Sequence, residues 1–209
     1  MIARVASLRR LARDEDGATL VEFALILLPM CILLMGGMEV AYTSMVRATM
    51  QGALNDAARR AAVENPDFSQ YEGDTLEDRI EQSVREIVGT MASDATVDVR
   101  QRSFFEFSNI GNPEKLLKDV NRNGRYDAAD GDCFEDANDN GSYDTDTGEI
   151  GGGGANDVVF YEATVTKPRL FPLHRLVGAG EEMEIHLQTA VRNQPYASRG
   201  TPSVLCGLD

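Results

Sequence analysis

The chain predicts an α+β fold: a long N-terminal transmembrane helix that continues into an extracytoplasmic domain with a second helix and a small antiparallel sheet. Three observations carry this reading. Residues 19–38 (TLVEFALILLPMCILLMGGM) hold a single ionisable group, Glu22, close to one end. An Ala-rich helical run and a shorter amphipathic one follow. The apolar period then changes from three-to-four to alternation, helices first and strands after.

Twenty helical residues at about 1.5 Å each reach about 30 Å, which is the thickness of a bilayer's hydrocarbon core. Arg4, Arg9, Arg10 and Arg13 precede the run, whereas the flank after it is mixed (Glu39, Arg47). The cationic excess assigns the N-terminus to the cytoplasm and everything after about Tyr42 to the far side of the inner membrane. Pro29 removes one backbone hydrogen bond and crowds the carbonyl of Leu25, so a kink is expected near mid-span, a feature membrane helices tolerate. A secretory signal peptide also has a basic start and an apolar stretch, but its small-residue cleavage site follows the stretch. Here Gly36, Gly37 and Met38 lead into Glu39 and a helix-compatible run, and the more suggestive small residue, Gly17, lies before the stretch.

Past Glu39, Met45, Thr49, Leu54 and Ala57 or Ala58 approximate one helical face, which extends the first helix over 18–65, up to Pro66. A second helix is expected over 75–91, where Leu76, Ile80, Val84 and Ile87 recur with Glu and Arg opposite. Residues 96–107, 158–166 and 183–192 are rich in β-branched and aromatic residues and partly alternate, so they read as strands of a domain spanning 66–209.

One anchor and one domain use all 209 residues. A net charge of −14, with no basic face after the start of the chain, excludes binding to nucleic acid and favours cations as small partners. His174 and His186 are the only histidines and no nucleophile motif accompanies them, so no catalytic residue is assigned and the chain reads as non-enzymatic. Of three cysteines, Cys31 lies inside the apolar run. Cys133 and Cys206 are the disulfide candidate in an oxidising compartment and two free thiols in a reducing one.

Residues 119–149 differ in composition from their surroundings, with ten acidic and two basic residues supplying −8 of the chain's charge. One pattern occurs twice: Asp119, Asn121, Asn123, Gly124, Tyr126, Asp127, Asp130, then Asp136, Asn138, Asn140, Gly141, Tyr143, Asp144. The pattern resembles the calcium loop of EF-hand, dockerin and thrombospondin type 3 repeats. Alternate positions of a tight loop can point oxygens inward, and glycine allows the sharp turn at the sixth position. Asp, Asn and Asn fill positions one, three and five. In the first loop Arg125 would offer its backbone carbonyl, Asp127 a direct or water-mediated oxygen and Asp130 the closing carboxylate. In the second, Ser142 and Asp144 take the corresponding places, but the twelfth position is Thr147, which leaves Asp146 or Glu149 to close the shell. Neither loop has two amphipathic flanking helices, so Ca2+ would act as a structural clip of a segment otherwise expected to be disordered, not as a switch. Four glycines at 151–154 form a linker back to the next strand.

The segment RRLARDEDGATLVEFALILLP resembles the N-terminus of a type IV pilin-like precursor, most closely the TadE-like minor pilins of tight-adherence (Tad) pili. Gly17 matches the residue before cleavage, Glu22 the fifth residue of the mature chain, and Phe23 the residue after it. The resemblance implies a leader of 1–17 removed by a prepilin peptidase between Gly17 and Ala18. It further implies residence in the inner membrane or in a pilus, other pilins and the Tad assembly machinery as partners, and a role in pilus biogenesis, initiation and adhesion. A carboxylate central in a membrane helix costs about 2.5 to 3.5 kcal/mol, less near an end, and therefore tends to have a partner. The new α-amine of Ala18 would lie one turn from Glu22 of its own chain or face Glu22 of a neighbour, and the resemblance favours the neighbour. A reading from another class is a membrane-tethered, calcium-dependent protein-binding module outside any filament.

Overall fold

The computed structural model describes residues 18–90 and 92–207. The chain divides into two compact units: Met1–Ser44 with Arg169–Glu181, and Met45–Pro168 with Glu182–Asp209. Helix α1, Ala18–Ala61, contributes residues to both. The expected leader and its Gly17 lie outside the described residues.

In the first unit, α1 is apolar and bare. Leu20, Leu25 and Leu33 are each more than 70% exposed, which a water-soluble helix avoids because each such side chain forgoes roughly 1.5 to 3 kcal/mol of burial. Among the described residues, α1 is the one helix long and apolar enough to cross a membrane. Pro29 sits within it, as expected. The other segment of this unit is a hairpin tip carrying the short helix α3, His174–Val177, which Gly178 closes in the left-handed conformation (φ 69°). The tip meets the helix where the backbone N–H of Phe171 donates to Glu39 Oε2 at 3.1 Å.

In the second unit, α1 buries Val46, Met50, Ala53, Leu54, Ala57 and Ala58. The stripe starts one residue later than expected: Met45 is exposed and Thr49 half-buried. The reason is chemical, since Val46 and Met50 are both apolar whereas Met45 and Thr49 pair an apolar with a polar side chain. The helix also ends at Ala61, four residues short of the expected end. The residue four ahead of Ala62 is Pro66, which has no N–H to continue the ladder, and Gln194 N–H takes the Ala62 carbonyl instead at 2.8 Å.

Helix α2, Leu76–Gly89, begins at a capping box in which Thr75 and Asp78 exchange side-chain to backbone bonds, and it buries Ile80, Ser83, Val84 and Val88. Strands β1 (Thr96–Phe104), β4 (Glu149–Ile150), β5 (Val158–Pro168) and β6 (Glu182–Arg192) form an antiparallel sheet in the order β4-β1-β5-β6. Register puts Val97, Val165 and Ile185 in one row and Val99, Ala163 and Leu187 in the next. Five of these six are buried, as the pleat's period of two requires. Gln51 of α1 donates to Gln188 O at 3.1 Å and Arg85 of α2 to Val97 O at 3.1 Å, so both helices are tied to this sheet. Tyr161 of β5 is buried, and burial, with the Glu77 carboxylate adding, pushes its phenol up to about 12.

A second sheet goes beyond the expected single one. Strands β2 (Lys115–Lys118), β3 (Cys133–Asp136) and β7 (Ser203–Cys206) pair antiparallel in the order β2-β3-β7. Only its central strand, β3, belongs to the acidic insertion; β2 leads into the insertion and β7 is supplied from near the C-terminus.

Candidate functional site

The two acidic loops, 119–130 and 136–147, fold on the same hydrogen-bond frame. In the first, the Asp119 carboxylate accepts from Asn123 N at 3.1 Å and Gly124 N at 2.7 Å; in the second, Asp136 accepts from Asn140 N at 3.2 Å and Gly141 N at 2.8 Å. Asn121 Oδ1 takes Asn123 N, as Asn138 Oδ1 takes Asn140 N. Asn123 and Asn140 then accept from Arg125 N and Ser142 N, each at 2.7 Å. Both fourth positions, Arg122 and Asp139, and both sixth positions, Gly124 and Gly141, have positive φ. A left-handed residue costs least as glycine, so the repeated glycine at the sixth position is a backbone requirement.

Each loop is clamped by a buried carboxylate that the repeat itself does not include. Asp132 accepts from Val120 N at 2.8 Å and Asp127 N at 2.9 Å. Glu114 accepts from Ala137 N at 2.8 Å and Asp144 N at 3.0 Å. These are the second and ninth positions of their respective loops, and both carboxylates are buried. Burial raises the Glu114 carboxyl above its usual range, aided by the Asp136 and Asp144 charges and opposed by the two amide donors. No local signal marks Glu114, which stands far upstream of the loop it holds, whereas Asp132 follows its own loop by two residues but falls outside the repeated pattern.

The loops differ at their far ends. In the first, Asn121 turns its amide group onto Asp130, while Asp127 caps the short turn Ala128–Asp130 through Ala129 N at 2.9 Å. In the second, Asn138 donates to Asp144 at 2.9 Å, with Asn140 on the same oxygen. Asp146 is engaged elsewhere: Arg102 Nη1 lies 2.7 Å from Oδ2, which, with the Gly148 amide, holds the carboxyl below its usual range. Glu149 stands exposed on β4 opposite Ser103. Thr147, at the twelfth position, is buried and donates to Asn109 O at 3.3 Å. Among the described residues no three His, Cys, Asp or Glu side chains are grouped to hold a metal ion. The loops present a mixed Asp and Asn oxygen set, with spare lone pairs on each carboxylate.

Between the loops lie their eighth residues. Tyr126 and Tyr143 stack at 4.8 Å, and both meet the edge-on ring of buried Phe134 at 4.9 and 5.4 Å. Next to Phe134, Cys133 forms a disulfide with Cys206, its partner in the β3 to β7 register. Gly207 N–H then donates to Asp132 O at 2.9 Å. A Cβ at Gly207 would stand 2.1 Å from the Ala128 carbonyl oxygen, so only glycine brings the tail this close to the first loop.

Glu22 and Phe23 are exposed near the start of α1, whose first residue is Ala18. His174 belongs to the first unit and His186 to the second, where it sits exposed on β6, 3.2 Å from Thr164 Oγ1 and 3.6 Å from Glu184.

A bare apolar helix leading into an α+β domain defines a protein anchored to a membrane by one N-terminal span. Over residues 17–59 the chain matches the family described as TadE-like protein, and this supports a Tad pilus-associated, pilin-like protein. Proteins of that kind are structural, not enzymes. No curated protein and no solved structure matches the chain.

Proposed function

We propose that the protein is a non-enzymatic minor pilin, or pseudopilin, of a Tad-type pilus, processed by prepilin peptidase and acting in pilus initiation and surface adhesion. The observation that carries this is the coincidence of the TadE-like match with the exposed apolar helix and the lone carboxylate of its residues 19–38, Glu22. Residues 1–17 act as the leader, and cleavage after Gly17 creates the α-amine that pairs with Glu22 of a neighbouring subunit during assembly. The head domain faces the periplasm or, once assembled, the outside. The mass of the mature N-terminus tests this: a chain starting at Ala18 supports it, and one starting near Glu39 sinks it.

Calcium stabilises the head by filling both loops. An oxygen-only set of Asp, Asn and backbone carbonyls suits a hard cation of that size. Support comes from the shared frame of the loops, which holds the first, third and fifth side chains of both in the same arrangement. The first loop, with Asp127 and Asp130 at its far end, binds more tightly than the second, whose Asp146 is drawn off by Arg102. At a free Ca2+ concentration of 100 times Kd, one site adds about 2.7 kcal/mol of stability. Calorimetric titration with Ca2+ reads this directly: Asp119→Ala removes the tighter phase, and an unchanged isotherm would dismiss the clip.

The same loops support a second reading, a membrane-tethered calcium-dependent protein-binding module that stays out of the filament. Pull-down of Tad pilus components with the processed chain decides for the pilin; a processed chain that captures none of them decides for the module.

A further inference from the structure

The hairpin tip between β5 and β6 has no part in the reading above. Its residues 169–180, RLFPLHRLVGAG, contain no carboxylate, in a chain whose net charge is −14. The tip is ordered by its own bonds: Leu176 N to Leu173 O at 2.9 Å, Ala179 N to His174 O at 3.0 Å, and Arg169 N to Glu181 O at 3.1 Å. Two of its leucines are nevertheless turned outward, Leu170 48% and Leu176 69% exposed, while Phe171 and Leu173 are half-buried. Arg175 is also exposed, and the carboxylate it faces, Glu181 at 3.7 Å, is as exposed as itself, so that pair is weak and readily exchanged.

The level at which this tip sits is set by α1. Phe171 N–H is bound to Glu39, and Glu39 is the first ionisable residue after the apolar run that begins past Glu22. If residues 19–38 fill about 30 Å of hydrocarbon, Glu39 marks its outer boundary. A segment hydrogen-bonded there lies among the lipid headgroups, where exposed leucines reach acyl chains and arginines meet phosphates.

We infer that the β5 to β6 tip is a second, interfacial membrane anchor, with Leu170 and Leu176 inserted at the acyl boundary and Arg169 and Arg175 on phospholipid phosphates. The inference rests on α1 spanning the bilayer. Two attachments at different points would fix the orientation of this unit about the helix axis, which a single helix does not do. Release of the tip would accompany transfer of the subunit out of the bilayer.

The chain has no tryptophan, so single substitutions report their own surroundings. The full chain carrying Leu176→Trp, Leu170→Trp, Leu28→Trp or Ile150→Trp is reconstituted in vesicles of 3:1 phosphatidylcholine to phosphatidylglycerol, with and without brominated acyl chains. Ile150 is 94% exposed and serves as the aqueous reference. The expected result is blue-shifted emission from Leu176→Trp and Leu170→Trp, quenched by brominated lipid severalfold more than Ile150→Trp and less than Leu28→Trp. Emission that matches Ile150→Trp while Leu28→Trp is quenched overturns the second anchor and leaves the span intact. Blue-shifted emission that brominated lipid does not quench also overturns it, since the tip would then pack on protein. An unquenched Leu28→Trp removes the span and the tip's anchor with it.

Discussion

Loop 119–130 and loop 136–147 are built alike over their first nine residues and part company after that. Asp119 and Asp136 organise the turn, the paired asparagines relay it, and a buried carboxylate holds the second and ninth amides of each. Beyond the ninth position the first loop keeps an acid of its own, Asp130, bonded only within the loop to the Asn121 amide, whereas the second runs through Asp146, tied to Arg102, and buried Thr147. One loop is therefore arranged around its own carboxylates, and the other is stitched into the neighbouring sheet. The shared part is local backbone chemistry, and the divergent part is set by what lies next door.

The largest way to break the comparison is to remove what the loops have in common. Replacing both cysteines of the Cys133–Cys206 disulfide (Cys133→Ser with Cys206→Ser) frees a segment of sequence separation 73, an expected loss of about 4 kcal/mol. Because β3 lies between the loops, the Val120 and Ala137 amides should both gain hydrogen exchange; a change at one alone would show that the loops are not held by a common strand. Phe134→Ala comes next, at about 3 kcal/mol for a buried aromatic. Its signature is loss of the near-ultraviolet dichroism of the stacked Tyr126 and Tyr143.

A smaller effect separates the clamps. Glu114 has its carboxyl raised by burial, so the folded protein holds this proton more tightly than the unfolded chain. Stability from this group is greatest at and below the ordinary glutamate range near 4.5 and is lost as pH rises through the raised value. Glu114→Gln should cost about 1 to 2 kcal/mol by setting an amide against a backbone N–H, and should flatten that pH slope. Exchange of the Ala137 and Asp144 amides with pH reads both, with Val120 and Asp127 as the unaffected comparison. The smallest effect is Arg102→Ala. The pair with Asp146 is partly exposed, so its loss costs under about 1 kcal/mol. Since Asp146 is held below the usual range, chiefly by its hydrogen bond from Arg102, that contribution is present above the ordinary Asp range and disappears as pH falls through the depressed value. Freed from Arg102, Asp146 is available to its own loop, so Arg102→Ala should narrow any Ca2+ affinity gap between the loops.

Much of this was legible in the chain because it depends on near neighbours. Glu22 alone among twenty residues marks the apolar helix, Thr75 and Asp78 start α2 through bonds three residues apart, and the glycines at the sixth loop positions announce left-handed turns. The helical face of α1 starts at Val46 and not at the equally apolar Met45, because four residues on Val46 is followed by apolar Met50 and Met45 by polar Thr49. The second sheet was not legible at all. Strands β2 and β3 are four residues each and β7 comes from the far end of the chain, too short for alternation to show.

Asp119 and Asp136 illustrate the division. Their side chains bind amides four and five residues ahead, so spacing alone determined that both loops would turn as they do, just as length and apolarity alone determined the bare N-terminal helix. Tertiary structure decided which carboxylates clamp those loops, that Asp146 serves Arg102, that Cys133 meets Cys206, and that Phe171 reaches Glu39. Those partners are separated along the chain by up to more than a hundred residues, and sequence carries no periodic signal for pairs that only folding brings within a hydrogen bond's reach.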